Sequence, residues 1–342
     1  MLSPMLRTKL QSALVLAALF TVPACRLFET AKLSKSPVPA ELATAQESAT
    51  SNAPSLSPRE SLREAIFPGA AAKTPCDAIE AEEPFALCLL GLEFADDAEA
   101  LALARRLYTE QGIVAGVAPA DVVNDGDFHG EFAIEPALPV GAERKHLSSL
   151  LQSLETFDRV VADMRKRAPQ ASLFFPKPRL VKFFTTPAAT TPSAFSHGER
   201  VAYNLRGELW DSADSSFETL MHELFHLADE RRGDWSKRAL GDTYASIVGR
   251  CRESGDDHCF DKYAPHETKV DGDIYYAFHP SNDESEYGAE LAARFLREQR
   301  QRIDDADAST KPPFKCQAPE NELVWHRFAD EFFGGIDLVP DC

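Results

Sequence analysis

The sequence predicts a mixed α+β fold, and three observations carry that prediction. Apolar residues recur at spacings of three and four over 96–111, 143–167, 215–231, 285–301 and 320–333, the mark of amphipathic helices. Short β-rich runs stand at 179–185 and 200–205. The two kinds of segment do not alternate as a doubly wound parallel sheet would require.

Taken in chain order, MLSPMLRTKL carries Arg7 and Lys9 and no acid, QSALVLAALF is apolar, and TVPAC supplies small residues before Cys25. Residues 1–24 therefore read as a secretory signal, too short in its apolar part for a spanning helix of about 20 residues. Val22-Pro23-Ala24-Cys25 resembles a bacterial lipobox, which implies lipidation of Cys25 and a membrane lipoprotein facing the periplasm or the cell surface. Ordinary secretion as a soluble protein is the alternative. Residues 25–60 are rich in Ala, Ser, Thr, Pro and Glu with few large apolar groups, the composition of a tether that cannot repay its ordering entropy.

Residues 61–170 are expected to form a mainly helical region and residues 171–342 the catalytic one. Asp96 or Asp97 caps the helix at 96–111. Residues 113–143, rich in Gly, Pro and Asp, mix loops with short strands. RLVKFFT (179–185) and RVAYNL (200–205) read as strands, the latter as the sheet edge, and the TTPAATTPSAFSHGE between them as a turn-rich connection. Ser215 or Ser216 caps the next helix, and Gly334-Gly335 closes the last.

The charge balance, 36 Lys and Arg against 54 Asp and Glu for a net −18, repels a phosphate backbone. With no basic stripe to offset it, no nucleic-acid partner is expected. The six cysteines beyond Cys25 (Cys76, Cys88, Cys251, Cys259, Cys316 and Cys342) suit an oxidising compartment, and short loops favour pairing them in sequence. None shows the CxxC spacing of a metal site. G-x-S-x-G, G-x-G-x-x-G and P-loop strings do not occur, and the acid clusters at 124–127 and 304–307 lack calcium-loop spacing.

The chemistry sits in His222-Glu223-Leu224-Phe225-His226. Residues i and i+4 of a helix share a face, so both imidazoles can meet one Zn2+, while Glu223, about 100° round the helix, serves as base toward a zinc-bound water. A third ligand must come from another element, and His258, His266, His279, Glu286, Glu290 and several loop acids are candidates. Glu286 fits best, because Glu286 and Glu290 lie one turn apart on a helical segment. One carboxylate can then ligate while the other supports a ligating imidazole.

HExxH followed by Glu286-Tyr287-Gly288-Ala289-Glu290 is the gluzincin pattern of zinc metallopeptidases, and over about 175–300 it resembles the protease domain of anthrax lethal factor and its relatives. The resemblance implies a zincin-like fold, with an active-site helix beside a small sheet. It implies His222, His226 and Glu286 as ligands, Glu223 as base, and Asp229 and Glu290 as supporting acids. The family's oxyanion-stabilising tyrosine falls here at His279, seven residues before Glu286, with Tyr275 and Tyr276 further upstream. Tyr276 and His279 are both kept as donors. The expected activity is that of an exported zinc metallopeptidase, an endopeptidase cleaving peptide or protein substrates. The alternatives are an inactive zincin-like surface binding lipoprotein and a non-peptidase zinc hydrolase.

Overall fold

The computed structural model describes residues 57–68, 74–124, 131–187, 191–210, 212–256, 258–270, 272–304 and 312–342. The signal segment, Cys25 and the tether up to residue 56 lie outside the described residues, as do most of the acid clusters at 124–127 and 304–307. Ser55–Cys342 forms one compact unit.

Eight α-helices are described: α1 (Pro58–Ile66), α2 (Glu82–Glu93), α3 (Ala98–Gln111), α4 (Lys145–Arg167), α5 (Ala213–Arg231), α6 (Trp235–Ser254), α7 (Glu284–Asp304) and α8 (Pro319–Phe333). They pack against a curled, partly open sheet of β1 (Val114–Val117), β2 (Asp121–Asn124), β3 (Glu131–Pro136), β4 (Leu180–Thr185), β5 (Ala194–His197) and β6 (Arg200–Asn204). The strand order is β2-β3-β4-β6-β5, with β1 pairing in parallel to β4. A separate two-stranded ribbon joins β7 (Lys269–Val270) to β8 (Ile274–Tyr275). Among the described residues, no helix is long and apolar enough to cross a membrane.

Alternation along the strands divides the sheet into two faces. Val181, Phe183, Val201 and Tyr203 enter the main core with the helices, whereas Phe184 and Ala202 join Ala118 and Ile134 in a small cluster of their own. The main core takes side chains from both sides of residue 170, including Leu147, Leu150 and Phe157 from α4.

Two local expectations need correction. RVAYNL is β6, an interior strand held by β4 on one side and β5 on the other; the edge is β5, built from the Ala194–His197 segment read as a turn. Two X-Pro steps and repeated Thr and Ser hid that short strand. The cap of α5 is Ser212, not Ser215 or Ser216: its Oγ accepts from Ser215 N at 3.1 Å, and Ser215 answers as the other half of a capping box. Asp97 caps α3, accepting from Glu99 N and Ala100 N. Gly334, at φ 57°, closes α8 in the left-handed conformation that glycine takes without penalty.

The six described cysteines pair in sequence as Cys76–Cys88, Cys251–Cys259 and Cys316–Cys342. Each closes a local loop, and the second ties α6 to the segment that leads to β7 and β8.

Burial pushes the Glu93 carboxyl at the end of α2 up to about 7, where a helix C-terminus also disfavours negative charge. The folded chain then holds a proton that the unfolded chain gives up between pH 4.5 and 7, so this group's contribution falls as pH rises through that window. Glu93→Gln should stabilise the protein by about 1–2 kcal/mol at pH 8, allowing for solvent screening, and by almost nothing at pH 4.5. Urea unfolding at the two pH values measures the difference; equal effects at both would show that Glu93 titrates normally.

Candidate metal centre

The site is assembled where α5 crosses α7. The apolar stripe of α5, Phe217, Leu220, Met221, Leu224 and Phe225, is buried, which turns His222 and His226 toward α7. Close approach of the two helices depends on Gly288. A Cβ there would lie 2.6 Å from Phe225 Cζ, nearer than any side chain tolerates. Phe225 is itself wedged among Trp235, Phe328 and Phe332. The helix face bearing Glu286 and Glu290 is thereby brought against the histidines.

His222 Nε2 and His226 Nε2 lie 3.2 Å apart. Glu286 sets one carboxylate oxygen 3.2 Å from His222 Nε2 and the other 3.5 Å from His226 Nε2. These separations match the edges of a tetrahedron around an ion with bonds of about 2.0–2.2 Å, which are about 3.3–3.6 Å. Glu286 Oε2 is buried without a hydrogen bond although an imidazole nitrogen stands within reach, as expected of donors aimed at a common point rather than at each other. Two imidazoles and one carboxylate suit Zn2+. Among the described residues, His222, His226 and Glu286 are the one grouping of three or more such side chains able to hold a metal ion. Their side chains remain 14%, 20% and 25% exposed, so one face of the centre is open, unlike the closed shell of a structural zinc site.

Behind the triad, His222 Nδ1 meets Glu290 Oε1 at 3.1 Å and His226 Nδ1 meets Ser285 Oγ at 3.2 Å. Each ring thus presents Nε2 forward. Burial disfavours charge on Glu286, but His226 and His222 outweigh it and hold the carboxyl well below its usual range. Burial likewise works against a charged His222, yet Glu286 and Glu290 raise it well above an ordinary histidine.

Glu223 is buried beside the triad, close enough to feel the charges of His222, His226 and Glu286, and is not one of its three ligands. Burial raises its carboxyl, partly offset by His222, His226 and the Ser196 hydroxyl on β5, and its Oε2 has no hydrogen-bond partner. Tyr276 stands beside the triad. Its ring lies 6.0 Å from that of His222 and its hydroxyl bonds Glu286. Burial, then Glu286 and Glu290, push the phenol well above its ordinary value, so it stays protonated as a donor. Backbone bonds fix it: its N–H reaches Thr268 O at 2.9 Å and its carbonyl accepts from Asn282 Nδ2 at 2.8 Å.

Other expected residues fall elsewhere. His279 turns to its own loop, where its Nδ1 accepts from Ser281 N at 3.3 Å. Asp229, expected to support a ligand, gives both carboxylate oxygens to Ser236, at 2.6 and 2.7 Å, and so joins α5 to the start of α6. His258 pairs with Asp261 in an exposed turn, and Tyr275 reaches the same Asp261. His266 sits behind Glu290. Sequence reasoning missed Ser285 and Ser196; a serine beside a ligand or on a short strand carries no signal of its own.

Comparison of the chain with protein-family models, curated proteins and solved structures gives no match.

Proposed function

We propose that this chain is an exported zinc-dependent metallopeptidase of the zincin type, with His222, His226 and Glu286 holding Zn2+. The observation that carries the reading is the open triangle of donors with a buried carboxylate, Glu223, beside it and outside the ligand set. Bound there, Zn2+ supplies Lewis acidity, which lowers the pKa of water and polarises a carbonyl. Glu223 accepts the proton of the attacking water and returns it to the departing amine. Tyr276 donates its phenol to the oxygen that gains negative charge. The outer edge of β5, hydrogen-bonded to β6 on one side, supplies backbone groups with which an extended peptide can pair. Asp229 acts here as a brace for the helix junction through Ser236, and Tyr276 is preferred to His279 as the donor. Three disulfides accord with an oxidising compartment, and lipidation at Cys25 would anchor the unit to a membrane through the tether.

Metal analysis of the full chain paired with digestion of a peptide library tests the reading. About one zinc per chain and cleavage abolished by a chelator are expected, and the intact mass of membrane-extracted protein should show an acylated Cys25. A zinc-free protein, or a zinc-loaded one that leaves the library uncut, defeats the peptidase reading; an unmodified N-terminus defeats the anchor alone.

A further inference from the structure

His222 is held from behind by two residues in series. Glu290 Oε1 takes its Nδ1, and the second Glu290 oxygen, buried and without a hydrogen bond, faces His266 Nδ1 at 3.5 Å. His266 Nε2 in turn lies 2.7 Å from Glu218 Oε2. Glu218 stands on α5 about one turn before His222, so the path leaves α5 at one residue, crosses α7 and the loop before β7, and returns to α5 four residues away. The four side chains stand in line, with the 3.5 Å contact of Glu290 and His266 as the one link that is not a hydrogen bond.

We propose that His266 is a positioning residue for the metal centre: it clamps Glu290 on the side away from His222 and so fixes the imidazole that presents Nε2 to the ion. The inference rests on the reading of His222, His226 and Glu286 as a metal site. Its physical basis is the crowding of carboxylates. Glu290 and Glu218 have side chains only 8% and 12% exposed, and a cationic or doubly donating group must stand between them. Arg297 neutralises Glu218 from one side at 3.3 Å and is anchored by Glu267, which leaves His266 as the group that spans Glu218 and Glu290. Burial disfavours the imidazolium, but Glu218 and Glu290 hold it above the ordinary histidine value. Nδ1 lies 2.7 Å from Thr268 Oγ1, accepts from Thr268 N at 3.3 Å, and stands 3.5 Å from the second Glu290 oxygen. Lysine or arginine has no such pair of opposed nitrogens on a rigid ring.

The test is zinc titration against a chromophoric chelator for the full chain and for His266→Gln, Glu290→Gln and the double variant. Each single change should weaken zinc binding about 10–100-fold, the usual effect of losing a group that supports a ligand. Because His266 acts through Glu290, the double variant should be no weaker than the weaker single one within about threefold. Zinc affinity within about threefold of wild type in His266→Gln, or losses that multiply in the double variant, overturns the proposal; a merely structural role lowers the unfolding temperature without either pattern. Should His266→Gln fail to fold, Glu218→Gln, which leaves the imidazole but removes its anchor, carries the same cycle with Glu290→Gln and the same criteria. A wild-type chain that binds no zinc overturns the metal-centre reading and this inference with it. Wild-type zinc binding with an indifferent His266 overturns the inference alone.

Discussion

Glu223→Gln is expected to fold, to bind zinc as tightly as the native chain, and to hydrolyse peptides at least about 10²-fold more slowly, the lower range of what general-base catalysis contributes. The substitution keeps the size of the side chain and its place in α5, and it leaves His222, His226 and Glu286 untouched. It also replaces a buried carboxylate, whose charged form burial disfavours, with a neutral amide, so no loss of stability is expected. What disappears is the proton acceptor. Zinc content, thermal unfolding and turnover measured on one preparation separate these effects. Full turnover in Glu223→Gln would remove Glu223 as base and with it the proposed mechanism.

His226→Ala should fail differently, losing both the metal and the activity. His226 supplies one corner of the donor triangle, and among the described residues no other histidine joins His222 and Glu286 in a grouping able to hold a metal ion. Loss of a supporting group alone costs about 10–100-fold in metal affinity, so loss of a direct ligand should cost more than about 100-fold. Chelator competition reads the affinity, and hydrolysis at saturating zinc reads whether any activity can be restored. An alanine variant that keeps native affinity would show that the ion, if one binds, sits elsewhere.

The pair of predictions rests on residues that were readable before any fold was known, and the reason is geometric. HExxH encodes its own spacing, because a helix turns any i, i+4 pair onto one face, and a glutamate pair one turn apart on a later helix repeats the device. The cysteine pairs were readable because their loops are short. Less legible was whatever depends on a partner distant in sequence. Helix α6 went unseen because its buried face uses Ser236, Thr243, Tyr244 and Cys251 beside Leu240 and Ile247, so burial there does not follow hydrophobicity. The edge strand β5 owes its conformation to its pairing with β6 more than to its own composition. The placing of Tyr276 beside His222 depends on the turn after β8 and on Asn282, and counting residues back from Glu286 could not supply it. Asp229 lies at the expected distance from His226 along the chain, yet the tight junction into α6 gives its oxygens to Ser236.

The parallel pairing of β1 with β4 bears on how the molecule is made. A ribosome delivers β1 long before β4, and β4 before β6, so the strand at the centre of the sheet is the one on which both earlier and later chain must wait. Until it arrives, Val114 and Ala115 have no strand to lie against, and after it arrives an absent β1 would leave the β4 edge bare beside buried Val181 and Phe183. A cut near residue 170 therefore passes through the compact unit of Ser55–Cys342, even though the residues assigned to chemistry all lie on one side of it. The helices and strands that come first are the wall against which the chemical half is assembled, and a fragment lacking them offers neighbouring chains an adhesive edge.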